Sequence, residues 1–129
     1  MARDKSEIKP TEAELSLLNI LWDLGPATVR EVHEKISQTQ KTGYTTVLKI
    51  LQIMHDKNLV IRDESKRAHV YAAANSQTHT QSSLLKDLIA KAFGGSTSNL
   101  VMRALDDSTT KQEIEDIKSI LNKYEQEVS

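Results

Sequence analysis

Apolar positions recur at helical spacing through the first part of the chain, switch briefly to alternation, and then return to helical spacing. Thr11 followed by Glu14 forms a capping box. The helix it opens is predicted to run to about Asp23. Leu15, Leu18 and Trp22 share one face, and Leu17, Ile20 and Leu21 widen it, a pattern that implies burial on several sides. Gly25-Pro26 stops this helix. Thr28 caps a second helix over about Val29 to Ser37, with Val29, Val32 and Ile36 inward and Arg30, Glu31, Glu34 and Lys35 in water. The polar stretch Gln38 to Thr42 is a turn, and Gly43 lets the chain bend. A third helix follows from about Tyr44 to Lys57, with Val47, Ile50, Leu51 and Met54 on one side and Thr45, Thr46, Lys49, Gln52 and Asp56 on the other. Asn58 ends it. Leu59 to Asp63 and Ala68 to Ala72 then read as a two-stranded hairpin whose tip, Glu64-Ser65-Lys66-Arg67, is too polar to pack.

The pattern changes after Asn75-Ser76. Leu84, Leu85, Leu88, Ile89, Ala92 and Phe93 cover half of a helix from about Gln77 to Phe93, which Gly94-Gly95-Ser96 breaks. A short helix carries Leu100, Val101, Ala104 and Leu105 on one side. A capping box at Thr110 and Glu113 opens a last helix striped by Ile114, Ile117, Ile120, Leu121 and Tyr124. So few residues supply little core of their own. These stripes therefore need a further surface, either the N-terminal domain of the same chain or a second chain. The second copy is the expectation, giving a two-fold dimer through Leu84, Leu85, Leu88, Ile89, Leu100, Val101, Leu105, Ile114, Ile117, Ile120, Leu121 and Tyr124. The expected fold is mainly α with a small β-hairpin wing. Residues 1–75 would be a winged helix-turn-helix and residues 76–129 a helical dimerisation domain.

Charge refines this picture through its distribution. The 129 residues carry a net charge of −1, yet residues 41–75 hold 6 Lys/Arg against 3 Asp/Glu. That basic excess coincides with the third helix and the hairpin tip. Adjacent threonines one turn before a lysine suit a duplex: their hydroxyls and methyls can meet phosphates or thymine methyls, and Lys49 can reach a guanine edge or a phosphate. Such threonines also serve simply as helix caps, and one lysine as a solvated charge. Lys66 and Arg67 at the tip are candidates for the phosphate backbone or the adjacent minor groove, although hairpin tips are also basic for solubility alone.

Other function classes leave little trace. There is no glycine-rich phosphate loop, nucleophile elbow or HExxH, so no enzyme is expected. His33, His55, His69 and His79 lack metal-site spacing, although His69 near the wing could touch phosphate, and no metal or cofactor is expected. There is no cysteine, which excludes a disulfide framework or thiolate site and fits a cytoplasmic location. No apolar run approaches the roughly 18 residues of a membrane span. The opening MARDKSEIKP lacks the apolar segment of a secretory signal. The expected partners are double-stranded DNA and a second copy of the chain. The alternative is a winged-helix protein–protein module without sequence-specific DNA binding.

Several segments, taken in order, resemble the BlaI/MecI penicillinase-repressor family of bacterial transcription regulators. They are Pro10-Thr11-Glu12-Ala13-Glu14-Leu15, Leu21-Trp22, Thr28-Val29-Arg30-Glu31-Val32, Tyr44-Thr45-Thr46-Val47, Lys57-Asn58-Leu59-Val60 and the wing ending at Tyr71. The resemblance covers nearly the whole length. It implies a homodimeric repressor on inverted-repeat operators, with Thr45, Thr46 and Lys49 reading the major groove and Tyr44, Lys66 and Arg67 on the backbone. In antibiotic-responsive members a sensor-linked protease cuts an Asn-Phe bond in the dimerisation domain. Arg103-Ala104 stands at that place here, a departure that leaves the inducing partner unidentified. Copper-sensing relatives use C-terminal cysteine pairs, which this chain lacks.

Overall fold

The computed structural model describes residues 9–128. Residues 1–8, which carry most of the segment expected to lack a secretory signal, lie outside the described residues, as does residue 129. The chain divides into two compact units at Leu85/Lys86.

In the first unit, helix α1 spans Glu12–Leu24, strand β1 Ala27–Thr28, helix α2 Val29–Ile36 and helix α3 Tyr44–Asp56. Strands β2, Val60–Asp63, and β3, Val70–Ala73, follow, and helix α4, Gln77–Ala92, begins. The fold is mainly helical with a small antiparallel sheet, in winged-helix order.

Local chemistry sets these boundaries. The expected capping box forms at Thr11 with Glu14 on α1, and the Thr28 cap of α2 is a full box as well, with Glu31. Each satisfies backbone donors that a helix start leaves orphaned. Gly25 closes α1 with φ +82° and donates to the Leu21 carbonyl at 2.8 Å, a conformation in which a β-carbon would be strained. At the end of α3, Asn58 adopts φ +65°. Its N–H reaches the His55 carbonyl at 3.1 Å and the Leu59 N–H reaches the Met54 carbonyl at 2.9 Å. That double closure is a Schellman motif with asparagine in the left-handed position. It turns the chain directly into β2 while Leu59 packs against the core.

The sheet differs from the expected hairpin. It has three strands in the order β1-β3-β2, both pairings antiparallel. Tyr71 of β3 stands opposite Ala27 on one side and Arg62 on the other. The two residues of β1 escape a sequence reading because they carry no alternation of their own. They lie between Pro26 and the α2 cap, and only pairing with β3 makes them a strand.

The core consists of Leu17, Leu18 and Leu21 of α1, Ala27, Val29, Val32 and Ile36, Val47, Leu51 and Met54 of α3, and Val60 and Tyr71 of the sheet. On α1 the fully buried face is thus centred on Leu17, Leu18 and Leu21. Leu15 and Trp22 pack at its margin, and the Trp22 indole donates to the Asn75 carbonyl at 2.9 Å.

Glu14 places a charge in this core, 3% exposed. One carboxylate oxygen accepts the Thr11 N–H at 2.9 Å, and the other meets Lys57 Nζ at 2.8 Å. Burial alone pushes this carboxyl up. The Lys57 hydrogen bond and charge, with the Thr11 backbone bond, outweigh it and hold Glu14 below its ordinary value. The pair links the start of α1 to the residue capping α3.

In the second unit, α4 ends at Ala92. Gly94 and Gly95 then take φ of +58° and +81° in a turn. Helix α5 spans Thr97–Ala104 and α6 spans Lys111–Val128. Thr110 and Glu113 form the expected reciprocal bonds at the start of α6. No described residue of α4, α5 or α6 is buried.

Candidate nucleic-acid interface

The candidate reading helix is held from behind and left open in front. Val47, Leu51 and Met54 fix its rear in the core. Thr45, Thr46, Lys49 and Gln52 are exposed on its front. Gly43 is its N-cap, and no side chain caps the helix start. The threonines therefore do not serve as caps: both are exposed, beside first-turn N–H groups that no side chain caps. An uncapped helix start is an anion-seeking feature.

The turn before α3 is pinned by α2. His33 Nε2 lies 2.8 Å from the Thr42 carbonyl. A carbonyl oxygen only accepts, so Nε2 carries the proton. The His33 ring also meets Tyr44 edge-on, with centroids 5.8 Å apart. Tyr44 is thereby steered at the helix start while remaining half exposed.

The wing is ordered by its own polar contacts. Asp63 accepts the Ser65 N–H at 2.9 Å, which shapes the tip and lowers the Asp63 carboxyl below its ordinary value. Arg62 binds the Tyr71 and Glu64 side chains, and both raise its already high pKa. Its Nε donates to Glu64 at 2.6 Å, and this contact with Arg62 in turn holds Glu64 low. Lys66 and Arg67 are exposed at the tip.

Between the start of α2, the front of α3 and the wing lies an open groove of about 540 Å³. Tyr44, Arg67 and His69, three of the residues singled out by sequence, line it together. So do Arg30, Gln52, Arg62, Thr28 and Tyr71. Thr45, Thr46 and Lys49 lie on the exposed front of α3 and Lys66 at the tip, none of them lining the groove. Sequence reasoning placed Arg30 among solvated charges and gave Arg62 no role. The available signal was that Thr28-Val29-Arg30 starts a helix capped toward the sheet, and that Arg62 sits in the strand leading to the tip. Among the described residues, no carboxylate lines the groove.

The dimerisation candidates lie on the C-terminal helices. Leu85, Leu88, Val101, Leu105, Ile114, Ile120, Leu121 and Tyr124 are exposed, Tyr124 to 63%. Leu84, Ile89, Leu100 and Ile117 are half-buried. Among the described residues, no group of three or more His, Asp or Glu is placed to hold a metal ion, and no helix is long and apolar enough to cross a membrane.

Three helices followed by a hairpin, with the third helix exposed at its start, define a winged-helix protein. The penicillinase repressor family matches residues 10–123, and the chain belongs to that family. It is similar to the transcriptional regulator BlaI of Mycobacterium tuberculosis, 37% identical over 82 residues, which make up 63% of this chain and 59% of that protein. The match thus spans less than two thirds of that relative's length. The methicillin resistance regulatory protein MecI of Staphylococcus aureus is 22% identical over 121 residues, 93% of this chain and 98% of that protein. A variant of Lactococcus lactis ZitR superposes with a TM-score of 0.42 at 16% identity, covering all 100% of this chain and 82% of that one. The matched relatives are named as regulators, not as enzymes.

Proposed function

We propose that the chain is a homodimeric transcriptional repressor, acting in the cytoplasm on inverted-repeat operator DNA. Residues 1–75 read the duplex and residues 76–129 pair the protomers. Helix α3 enters the major groove through Thr45, Thr46 and Lys49. Tyr44, Lys66 and Arg67 hold the phosphate backbone. The observation that carries this reading is the front of α3: a helix fixed in the core on one side, with two hydroxyls, a lysine and an uncapped start turned to solvent on the other.

The C-terminal helices support the pairing. Most of their stripe residues are exposed, and a second identical stripe set is the simplest cover. Each head then meets one half-site, with centres separated by about one helical turn or a multiple of it. The inducing partner is open: Arg103-Ala104 ends α5, and the family resemblance would put a cleavable pair there.

The test is fluorescence anisotropy on the duplex upstream of the chain's own gene and on random duplex. Thr46→Ala should reduce the preference for operator. Lys66→Ala combined with Arg67→Ala should weaken both and lower the salt slope by about 2. Wild-type affinity and salt slope in both variants would remove the assignment of the reading head.

A further inference from the structure

The groove beside α3 brings together three guanidinium groups from separate parts of the chain: Arg30 at the start of α2, Arg62 in β2 and Arg67 at the wing tip. From α3, Tyr44 and Gln52 line it. Guanidinium forks match phosphate oxygens in paired fashion and shed water more readily than ammonium groups do. No carboxylate among the described residues lines the groove, and Glu64 reaches in from outside it to Arg62.

Arg30 is loosely held: its side chain is 82% exposed and its ion pair with Glu34, at 3.6 Å, joins neighbours on the same helix. Such a contact contributes little and exchanges readily for a phosphate. Arg62 is the opposite case. Tyr71 and Glu64 fix its direction before any ligand arrives, and a guanidinium has five donors, more than these two partners use.

We infer that this groove seats a run of the phosphodiester backbone of one DNA strand, with Arg30 and Arg62 as contacts additional to Tyr44, Lys66 and Arg67. The inference rests on the DNA-binding reading above and goes beyond it in two respects. It assigns α2 a direct contact, and it makes the wing grip through its strand as well as through its tip. These contacts position the head without reading bases, so they act on all duplexes alike.

The experiment measures binding of the full chain to random-sequence duplex across a salt series. Arg30→Ala removes an exposed side chain and leaves the core untouched. Arg62→Gln removes the charge while retaining hydrogen-bonding groups toward Glu64 and Tyr71. Each should lower the slope of log affinity against log salt by about 0.9, and the pair by about twice that. Operator and random duplex should lose affinity by the same factor. Arg103→Ala, on α5, is the control for net charge and should leave the slope unchanged. Thermal melts of each variant establish that the fold persists.

If the wild type binds with a steep slope and both arginine variants keep it, the groove is not the backbone seat, and the repressor reading survives. The backbone seat is equally overturned if Arg103→Ala lowers the slope as much as they do, since the effect would then be net charge alone. If the wild type binds no duplex at all, both readings fall together.

Discussion

The two units of this chain solve the problem of apolar surface in opposite ways. In the first, three helices and a three-stranded sheet enclose their own core, and Leu51, Val47, Met54 and Val32 lose all contact with water. In the second, helices with apolar stripes of their own leave Leu121, Tyr124 and Met102 about 60% exposed. The difference does not come from helix quality, because capping boxes and clean breaks define α6 as well as they define α1. It comes from topology. The sheet and the tight turns at Gly25 and Asn58 bring α1, α2 and α3 face to face, whereas the second unit has no strand among its described residues. The first unit is stable from within, and the second is proposed to be completed by its counterpart in another protomer.

The most severe damage to the first unit comes from hollowing its core. Leu51→Ala should cost about 2–5 kcal/mol in urea unfolding, because the enclosed site cannot collapse around the missing carbons. A loss well below that range would mean the core is looser than it looks.

Next is the buried charge. Glu14→Gln should cost about 2 kcal/mol at neutral pH, less than the ~3–5 kcal/mol of a fully enclosed pair, because the Lys57 side chain is 32% exposed. Glu14 has a folded pKa below its unfolded value. Its contribution is therefore complete above the unfolded pKa of about 4.3 and is lost as pH falls through the lower folded value. Wild type and Glu14→Gln should accordingly converge in stability as the solution is acidified. A gap that stays constant from neutral pH to acid would contradict the ion pair's role.

Smaller still is the turn into the wing. Asn58→Ala should cost about 1 kcal/mol through its left-handed backbone, while Asn58→Gly should leave thermal stability almost unchanged. Equal losses in the two variants would point to the asparagine side chain instead.

The mildest change for the first unit probes the contrast from the other side. Leu121→Ala should move the unfolding of the first unit by no more than about 0.5 kcal/mol. It should nevertheless shift the self-association equilibrium toward single chains in sedimentation. The concentration dependence of melting should weaken with it. Self-association identical to wild type would remove Leu121 from the proposed pairing surface.

What the sequence made legible follows the range of the interactions involved. Capping boxes at Thr11, Thr28 and Thr110, the break at Gly25-Pro26 and the stop at Asn58 depend on residues within three or four positions, and each is visible as a string. Helix α3 was legible because its apolar and polar faces segregate cleanly. Interactions that join distant segments were not. Glu14 looked like a helix cap and nothing more, because its second partner, Lys57, lies 43 positions away. β1 became a strand only through Tyr71 and Val70. The groove draws on Thr28 and Arg30, on Tyr44 and Gln52, and on Arg62 to Tyr71, and no local pattern unites them. The apolar stripes of α4 to α6 were readable as stripes, but a stripe does not name its cover.

Paired α3 helices reading a two-fold symmetric site are the core of the proposed function. Selecting the sequences that the full chain retains from a pool of random duplexes tests this without intermediaries. The expected outcome is enrichment of an inverted repeat whose half-site centres lie a whole number of helical turns apart. Enrichment of one short asymmetric motif, or of none, would contradict it.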